Sequence, residues 1–166
     1  MVMTFPERAP RLIVSDIDGT LLDRNHRVPK RNREVIARAV NAGAEFALAT
    51  GRPFRWIMPV LEQLTVRPVC VTSNGAVIYD SAEDRVLSTH ELSPEALAET
   101  VNVASRALQP LGGAGFGAER AGGSLLDPVD ELFVVESHYS ENAMFEGFGL
   151  VSVGELVSQP AVKLLI

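Results

Sequence analysis

Three short apolar runs, separated by segments with helical periodicity, limit what this 166-residue chain can fold into. The runs predict strands at 11–15, 45–50 and 69–72, and the segments between them predict helices at 29–43 and after Pro53. Strands that are apolar throughout and alternate with helices are typical of a parallel sheet buried between helices. We therefore predict an α/β fold, with buried strands connected by right-handed crossovers.

The pattern changes after residue 73. Residues 76–89 are typical of a hairpin, a helix is predicted from Pro94 behind a capping Ser93, and further strands are predicted at 131–137 and 161–166. The glycine-rich segment 112–123 lacks the spacing of a phosphate-binding motif, and we expect a flexible loop there. These features predict a core domain at 1–91 and a smaller α+β module at 92–166.

Composition excludes several classes of function. The net charge is −6, and an acidic chain is poorly suited to non-specific nucleic-acid binding. No apolar run is long enough to span a membrane, and the first ten residues lack the apolar segment of a secretory signal. The single cysteine, Cys70, excludes an internal disulfide. We expect no nucleic-acid or membrane partner, and a cytoplasmic location.

Two carboxylates follow the first apolar run directly, in the segment VSDIDGTLLD. A turn explains Asp18 before Gly19, but it does not explain Asp16 at the end of a strand predicted to be buried. Two carboxylates this close repel each other, and a cation beside them would relieve the repulsion. Oxygen ligands of this kind suit Mg²⁺. In such a pair, one carboxylate can act as a nucleophile while the other transfers protons.

Polar residues at the neighbouring strand ends are suited to binding a phosphate. The carboxyl ends of parallel strands meet at one edge of the sheet, so Asp16, Thr50 and Ser73 are predicted to line one crevice. Gly19 allows backbone N–H groups to approach a phosphate closely. Thr50 and the N–H of Gly51 are placed to bond its oxygens. The sequence thus predicts a phosphate site beside the carboxylates.

Three segments together resemble the haloacid dehalogenase superfamily. DIDGTLL is similar to its first motif, DxDGT, ALATGRP to its second, and VTSNGAVIYD to the SNGA segment of its Cof-type branch of phosphatases with a type II cap. The resemblance implies a Rossmann-like parallel sheet core, an α+β cap, and Mg²⁺-dependent hydrolysis of small phosphorylated metabolites such as sugar phosphates. It is clear over residues 11–80, so we expect the chain to correspond to the N-terminal part of such a phosphatase.

The resemblance also implies a role for each matching residue. Asp16 would be the nucleophile that forms an aspartyl-phosphate, and a Mg²⁺ ligand. Asp18 would be the acid/base, and its backbone carbonyl would bind Mg²⁺ as well; a halide leaves without a proton, so this second aspartate favours phosphate-ester chemistry. Thr50 would bind the transferring phosphoryl group, with Arg52 and Asn74 near the substrate.

Two further motifs of the family are missing from this sequence. One is a lysine that neutralises the nucleophile and phosphate, and the other is an acidic pair in a GDxxND-like segment. Lys163 lies in a predicted cap strand and is rejected as that lysine. We therefore expect the core to be incomplete, the 166-residue chain to be inactive alone, and the open edge of the Asp16 strand to favour self-association. A non-catalytic domain that binds a ligand or partner, and phosphoryl transfer between sugar positions, remain as alternatives.

Overall fold

The computed structural model describes residues 10–141, 143 and 146–166. The expectation of no secretory signal falls on the first ten residues, nine of which lie outside the described part. The chain divides into two compact units, Met1–Glu83 and Asp84–Ile166. Among the described residues, every helix is too short or too polar to cross a lipid bilayer.

The first unit has the predicted α/β architecture. β1 (Leu12–Ser15) and β2 (Glu45–Ala49) pair in parallel, and so do β2 and β3 (Val69–Thr72). β4 (Val77–Asp80) joins β3 in the antiparallel direction. Helix α1 (Lys30–Asn41) is followed by Gly43, whose positive φ of 94° is typical of the glycine just past the end of a helix. The elements in chain order are β1 (Leu12–Ser15), α1 (Lys30–Asn41), β2 (Glu45–Ala49), a 3₁₀ turn (Phe54–Ile57), α2 (Met58–Leu61), β3 (Val69–Thr72) and β4 (Val77–Asp80).

The two faces of this sheet differ sharply in burial. The face that holds Phe46, Leu48 and Cys70 is buried, and Leu48 and Cys70 have no exposed surface. On the opposite face, Leu12 and Val14 of β1 are 52% and 54% exposed. The expectation that β1 is fully buried is therefore wrong. The physical reason is that β1 pairs with β2 alone among the described strands of this unit, and one of its faces lacks a covering layer there.

The second unit is α+β. Its sheet has four strands, in the order β8 (Gly149–Leu150), β7 (Phe133–Val135), β6 (Gly117–Glu119) and β9 (Lys163–Leu165). β6 is antiparallel to both of its neighbours. Leu97 and Val101 of α3 pack with Ala118 and Val134 of the sheet in one buried cluster. The elements are β5 (Arg85–Thr89), α3 (Pro94–Leu108), β6 (Gly117–Glu119), α4 (Val129–Leu132), β7 (Phe133–Val135), α5 (Ser137–Ser140), β8 (Gly149–Leu150), α6 (Val153–Leu156) and β9 (Lys163–Leu165).

The glycine-rich segment is a second place where the expectation is wrong. Instead of a flexible loop throughout 112–123, the structure has β6 there, buried between two strands. A Cβ added to Gly117 would lie 3.3 Å from Cγ1 of Val135, and one added to Gly115 would overlap the backbone of Tyr139. These glycines therefore allow close packing. In contrast, the predicted cap of α3 is confirmed, because the Ser93 hydroxyl accepts the Ala96 N–H at 3.3 Å.

Candidate active site

The turn that follows β1 carries the two aspartates. Its apolar residues, Ile17 and Leu21, are buried, whereas Asp16, Asp18 and Gly19 are exposed. The turn closes where the N–H of Leu22 donates to the carbonyl of Ile17 at 3.0 Å. Gly19 has a φ of +75°, a conformation that glycine adopts with little strain. The buried residues anchor the turn, and the polar residues are left at the carboxyl end of the sheet.

Asp18 is held by an arginine from the end of the neighbouring strand. The Arg52 guanidinium donates from Nε to Oδ2 of Asp18 at 2.8 Å and from Nη2 to Oδ1 at 2.5 Å. Such a two-pronged, charge-assisted pair fixes the carboxylate in orientation as well as in position. The Arg52 hydrogen bonds hold the pKa of Asp18 below its usual value, against a smaller opposing effect of burial. This contact was not predicted from the sequence.

The ends of β2 and β3 are connected by backbone hydrogen bonds. The carbonyl of Thr50 accepts the N–H of Asn74 at 3.2 Å, and the carbonyl of Arg52 accepts that of Ser73 at 2.9 Å. Thr50 is buried, and its hydroxyl accepts the N–H of Arg52 at 3.2 Å. A Cβ added to Gly51 would lie 2.6 Å from Oδ1 of Asn74, so these residues are packed closely.

The structure therefore brings most of the predicted site residues into one connected set. Asp18 contacts Arg52, and Arg52 is bonded to both Thr50 and Ser73. Asn74 joins through the Thr50 carbonyl and has a left-handed φ of 60°. Asp16 and Gly19 lie on the same turn as Asp18. An arginine that directly follows a glycine at a strand end was the only signal in the sequence for the contact with Asp18.

The oxygen atoms of the aspartate turn fit a partly hydrated Mg²⁺. The carboxylate of Asp16 and the backbone carbonyl of Asp18 are both hard oxygen donors, which Mg²⁺ prefers, and Mg²⁺ keeps several water ligands. The Asp18 carboxylate itself is engaged by Arg52. Within the described part of the chain, no group of three or more His, Cys, Asp or Glu residues is arranged to hold a metal ion. This turn would thus supply only part of a coordination shell.

A family model described as haloacid dehalogenase-like hydrolase matches residues 13–111, which is more than half of the chain. The chain belongs to the haloacid dehalogenase-like hydrolase family. The matched region contains the aspartate turn, the Thr50–Arg52 segment and Asn74. The predicted resemblance is thereby confirmed.

Curated relatives of this haloacid dehalogenase-like chain are phosphatases. Phosphatase YwpJ of Bacillus subtilis is 37% identical over 42% of this chain and 25% of its own length. HMP-PP phosphatase of Serratia proteamaculans is 33% identical over 48% of this chain and 29% of its own length. The aligned regions thus cover less than a third of either relative.

The fold of this chain is similar to that of solved haloacid dehalogenase-like structures. The crystal structure of TM0651 from Thermotoga maritima superposes with a TM-score of 0.65 at 22% identity, over 93% of this chain and 55% of that protein. This likeness supports the Rossmann-like α/β fold and carries no information on activity. The chain spans about half the length of the solved structure that it matches.

Proposed function

We propose that this chain carries the phosphate-ester site of a Mg²⁺-dependent phosphatase for small phosphorylated metabolites, such as sugar phosphates. The observation that carries the proposal is the contact between Asp18 and Arg52, which joins the DxDGT turn to the Thr50–Gly51 strand end. The phosphatase names of curated relatives support it. The aligned regions cover less than a third of those relatives.

In the proposed reaction, a carboxylate oxygen of Asp16 attacks the phosphorus, and the bond to the leaving oxygen breaks. The product of this step is an aspartyl-phosphate. Asp18 donates a proton to the leaving oxygen and then accepts one from the water that hydrolyses the intermediate. Because Arg52 lowers the pKa of Asp18, the negative charge of the bound phosphate has to favour the protonated form of Asp18 before the first of these transfers. Bound Mg²⁺ supplies positive charge that offsets repulsion between the nucleophile and the phosphate.

Residues around the carboxylates are assigned to phosphate binding. Gly19 lets the backbone of the turn approach the phosphate, and the N–H of Gly51 and the hydroxyl of Thr50 donate to phosphoryl oxygens. The Thr50 hydroxyl already accepts the Arg52 N–H, so its own proton can be donated to the phosphate. Asn74 is placed near the substrate, with its side chain against Gly51.

We further propose that the core is completed by additional polypeptide. Leu12 and Val14 are more than half exposed, and Val69 on the same face is 40% exposed, which is unusual for the strands of a parallel sheet. The sequence also lacks the lysine and the acidic pair that complete the family site. In this proposal, the 166-residue chain alone is inactive and self-associates through the open edge of β1. Residues 92–166 belong to the cap.

A reducing, cytoplasmic setting completes the proposal. Cys70 is the single cysteine of the chain, and its thiol is buried and free. The small phosphorylated substrates proposed here would be the partners of the site. Neither a nucleic acid nor a membrane is invoked.

The decisive experiment replaces the nucleophile. Asp16→Asn should abolish hydrolysis of p-nitrophenyl phosphate by the full-length protein, in which additional polypeptide completes the core. The reason is that an amide cannot form the acyl-phosphate. Asp23→Asn is the matched control, because Oδ1 of Asp23 accepts the N–H groups of Asn25 and Arg27 and an amide oxygen can do the same. The 166-residue chain alone should release no more phosphate than the Asp16→Asn variant. Substantial turnover by a folded Asp16→Asn protein would overturn the assignment of Asp16 as the nucleophile. Absence of turnover by the wild-type protein would favour the alternative of a non-catalytic, ligand-binding domain.

A further inference from the structure

Arg52 is fixed along both its backbone and its side chain. Its N–H donates to Oγ1 of Thr50, and its carbonyl accepts the N–H of Ser73. At the far end, Nη1 donates to the carbonyl of Trp56 at 3.4 Å while Nε and Nη2 hold Asp18. The end of β2 and the turn after β3 therefore hold the backbone of Arg52, while the 3₁₀ turn before α2 contacts its guanidinium.

Asp18 itself is held much less firmly. Its side chain is 52% exposed, whereas that of Arg52 is 28% exposed. A half-exposed carboxylate beside a glycine turn has several accessible rotamers, and proton transfer requires one of them to face the reacting oxygen. Both carboxylate oxygens of Asp18 accept hydrogen bonds from Arg52, and this two-pronged contact, here called the fork, selects a single orientation of the Asp18 carboxylate.

We propose that Arg52 is a positioning residue for Asp18, and that it acts on the phosphate through Asp18 instead of binding the phosphate itself. The inference rests on the proposed phosphatase function. Three N–H groups of the guanidinium already donate to Asp18 and to the Trp56 carbonyl. The arrangement orients a proton-transfer group, which is a different role from the substrate contact expected from the sequence.

The conservative variant Arg52→Lys separates orientation from charge. Lysine keeps the positive charge, but it lacks the planar fork that binds both carboxylate oxygens. Proton transfer matters most for a poor leaving group, so the kcat of the full-length protein for an alkyl phosphate should fall about 10-fold or more. The fall for p-nitrophenyl phosphate should be smaller, and KM should change little for either substrate. Arg24→Lys, at an exposed position on a loop of the same unit, is the control and should match the wild type.

A double variant tests whether the two residues act as one unit. If Arg52 works through Asp18, Asp18→Asn combined with Arg52→Lys should be no slower on the alkyl phosphate than Asp18→Asn alone. Additive losses would overturn the inference, and so would a raised KM with an equal loss on both substrates. If Asp18→Asn itself affects both substrates equally, the acid/base assignment within the proposed function fails instead.

A second readout needs no turnover and no metal. In a ¹⁵N NMR spectrum of the metal-free chain, the Nε–H signal of Arg52 should be shifted and protected from exchange with solvent. Asp18→Asn should remove that protection, whereas Asp23→Asn should leave it in place. An Arg52 Nε–H that exchanges freely in the wild type would show that the fork does not persist in solution and would overturn the inference.

Discussion

Replacing Glu136 by Gln should destabilise the second unit, because this carboxylate fastens three backbone N–H groups. Oε1 accepts the N–H groups of Phe116 and Tyr139, each at 2.9 Å, and Oε2 accepts that of His138 at 2.9 Å. Glu136 is only 8% exposed, and it connects the end of β7 to the residue before β6 and to the first turn of α5. A buried carboxylate that accepts three backbone N–H groups has a structural role, which is to hold these three segments together.

The magnitude follows from the two oxygen atoms. A glutamine oxygen can keep the two bonds made by Oε1, but its NH₂ group would face the N–H of His138, donor against donor. The loss of one bond to a charged group, with the buried donor left unpaired, costs roughly 1.5–3 kcal/mol. A value of about 2 kcal/mol corresponds to an opening equilibrium shifted about 30-fold. Glu136→Ala should cost more, because all three donors lose their acceptor.

Amide hydrogen exchange measures this effect where it occurs. The amides of Phe116, His138 and Tyr139 should exchange about 30-fold faster in Glu136→Gln at neutral pH. Glu99→Gln makes the same chemical change at an exposed position of α3, and its exchange rates should match the wild type. Unchanged protection of the three amides in Glu136→Gln would refute the reasoning.

The same carboxylate makes a prediction about pH. Burial raises the pKa of Glu136, but hydrogen bonds from the His138, Phe116 and Tyr139 N–H groups outweigh burial, so the pKa lies below the usual 4.5. A lowered pKa in the folded state contributes stability that is fully present above pH 4.5 and lost as the pH falls through the folded pKa. The difference between wild type and Glu136→Gln should therefore shrink in acid. A difference that is independent of pH would contradict this account.

Two further predictions concern the first unit. Val14→Lys should lower the apparent mass of the 166-residue chain in sizing chromatography, because lysine on an exposed edge strand opposes strand pairing. Val103→Lys is the control, since Val103 is 52% exposed and Val14 is 54% exposed. An unchanged mass for Val14→Lys would argue against association through β1. Burial raises the pKa of Cys70 to about 12, so its thiol should resist a thiol reagent at pH ~8 until urea unfolds the chain, and rapid labelling of the native protein would contradict the buried placement.

The elements that were predicted correctly are those with strong local signals. The apolar runs that became β1, β2 and β3 and the periodic stripe of α1 specify their structures within the chain segment itself. Ser93 before Pro94 marked the start of α3 for the same reason, since a capping hydroxyl acts over three residues. Local chemistry determines such boundaries, so they can be derived without knowledge of the tertiary contacts.

The errors fall where a partner distant in sequence decides the outcome. Glycine is poor in strands by local propensity, yet Gly117 lies in a buried strand because Val135 on the neighbouring strand approaches closely. Leu12 and Val14 are apolar enough for a buried strand, but an apolar side chain does not create the layer that would cover it. Sequence pattern therefore predicts which residues suit burial, while the neighbouring elements determine whether burial occurs.

The site illustrates the same limit on the scale of single atoms. The sequence places two carboxylates so close together that they need positive charge beside them, and one cation for both is the interpretation that it favours. In the structure, Arg52 at the end of the neighbouring strand supplies much of this positive charge, because its guanidinium pairs with the Asp18 carboxylate. The carboxylate of Asp16 and the carbonyl of Asp18 are then the oxygen atoms of the turn that suit a metal. The Arg52 guanidinium thus sets the carboxylate of Asp18 apart from the two oxygen atoms that are left for a metal.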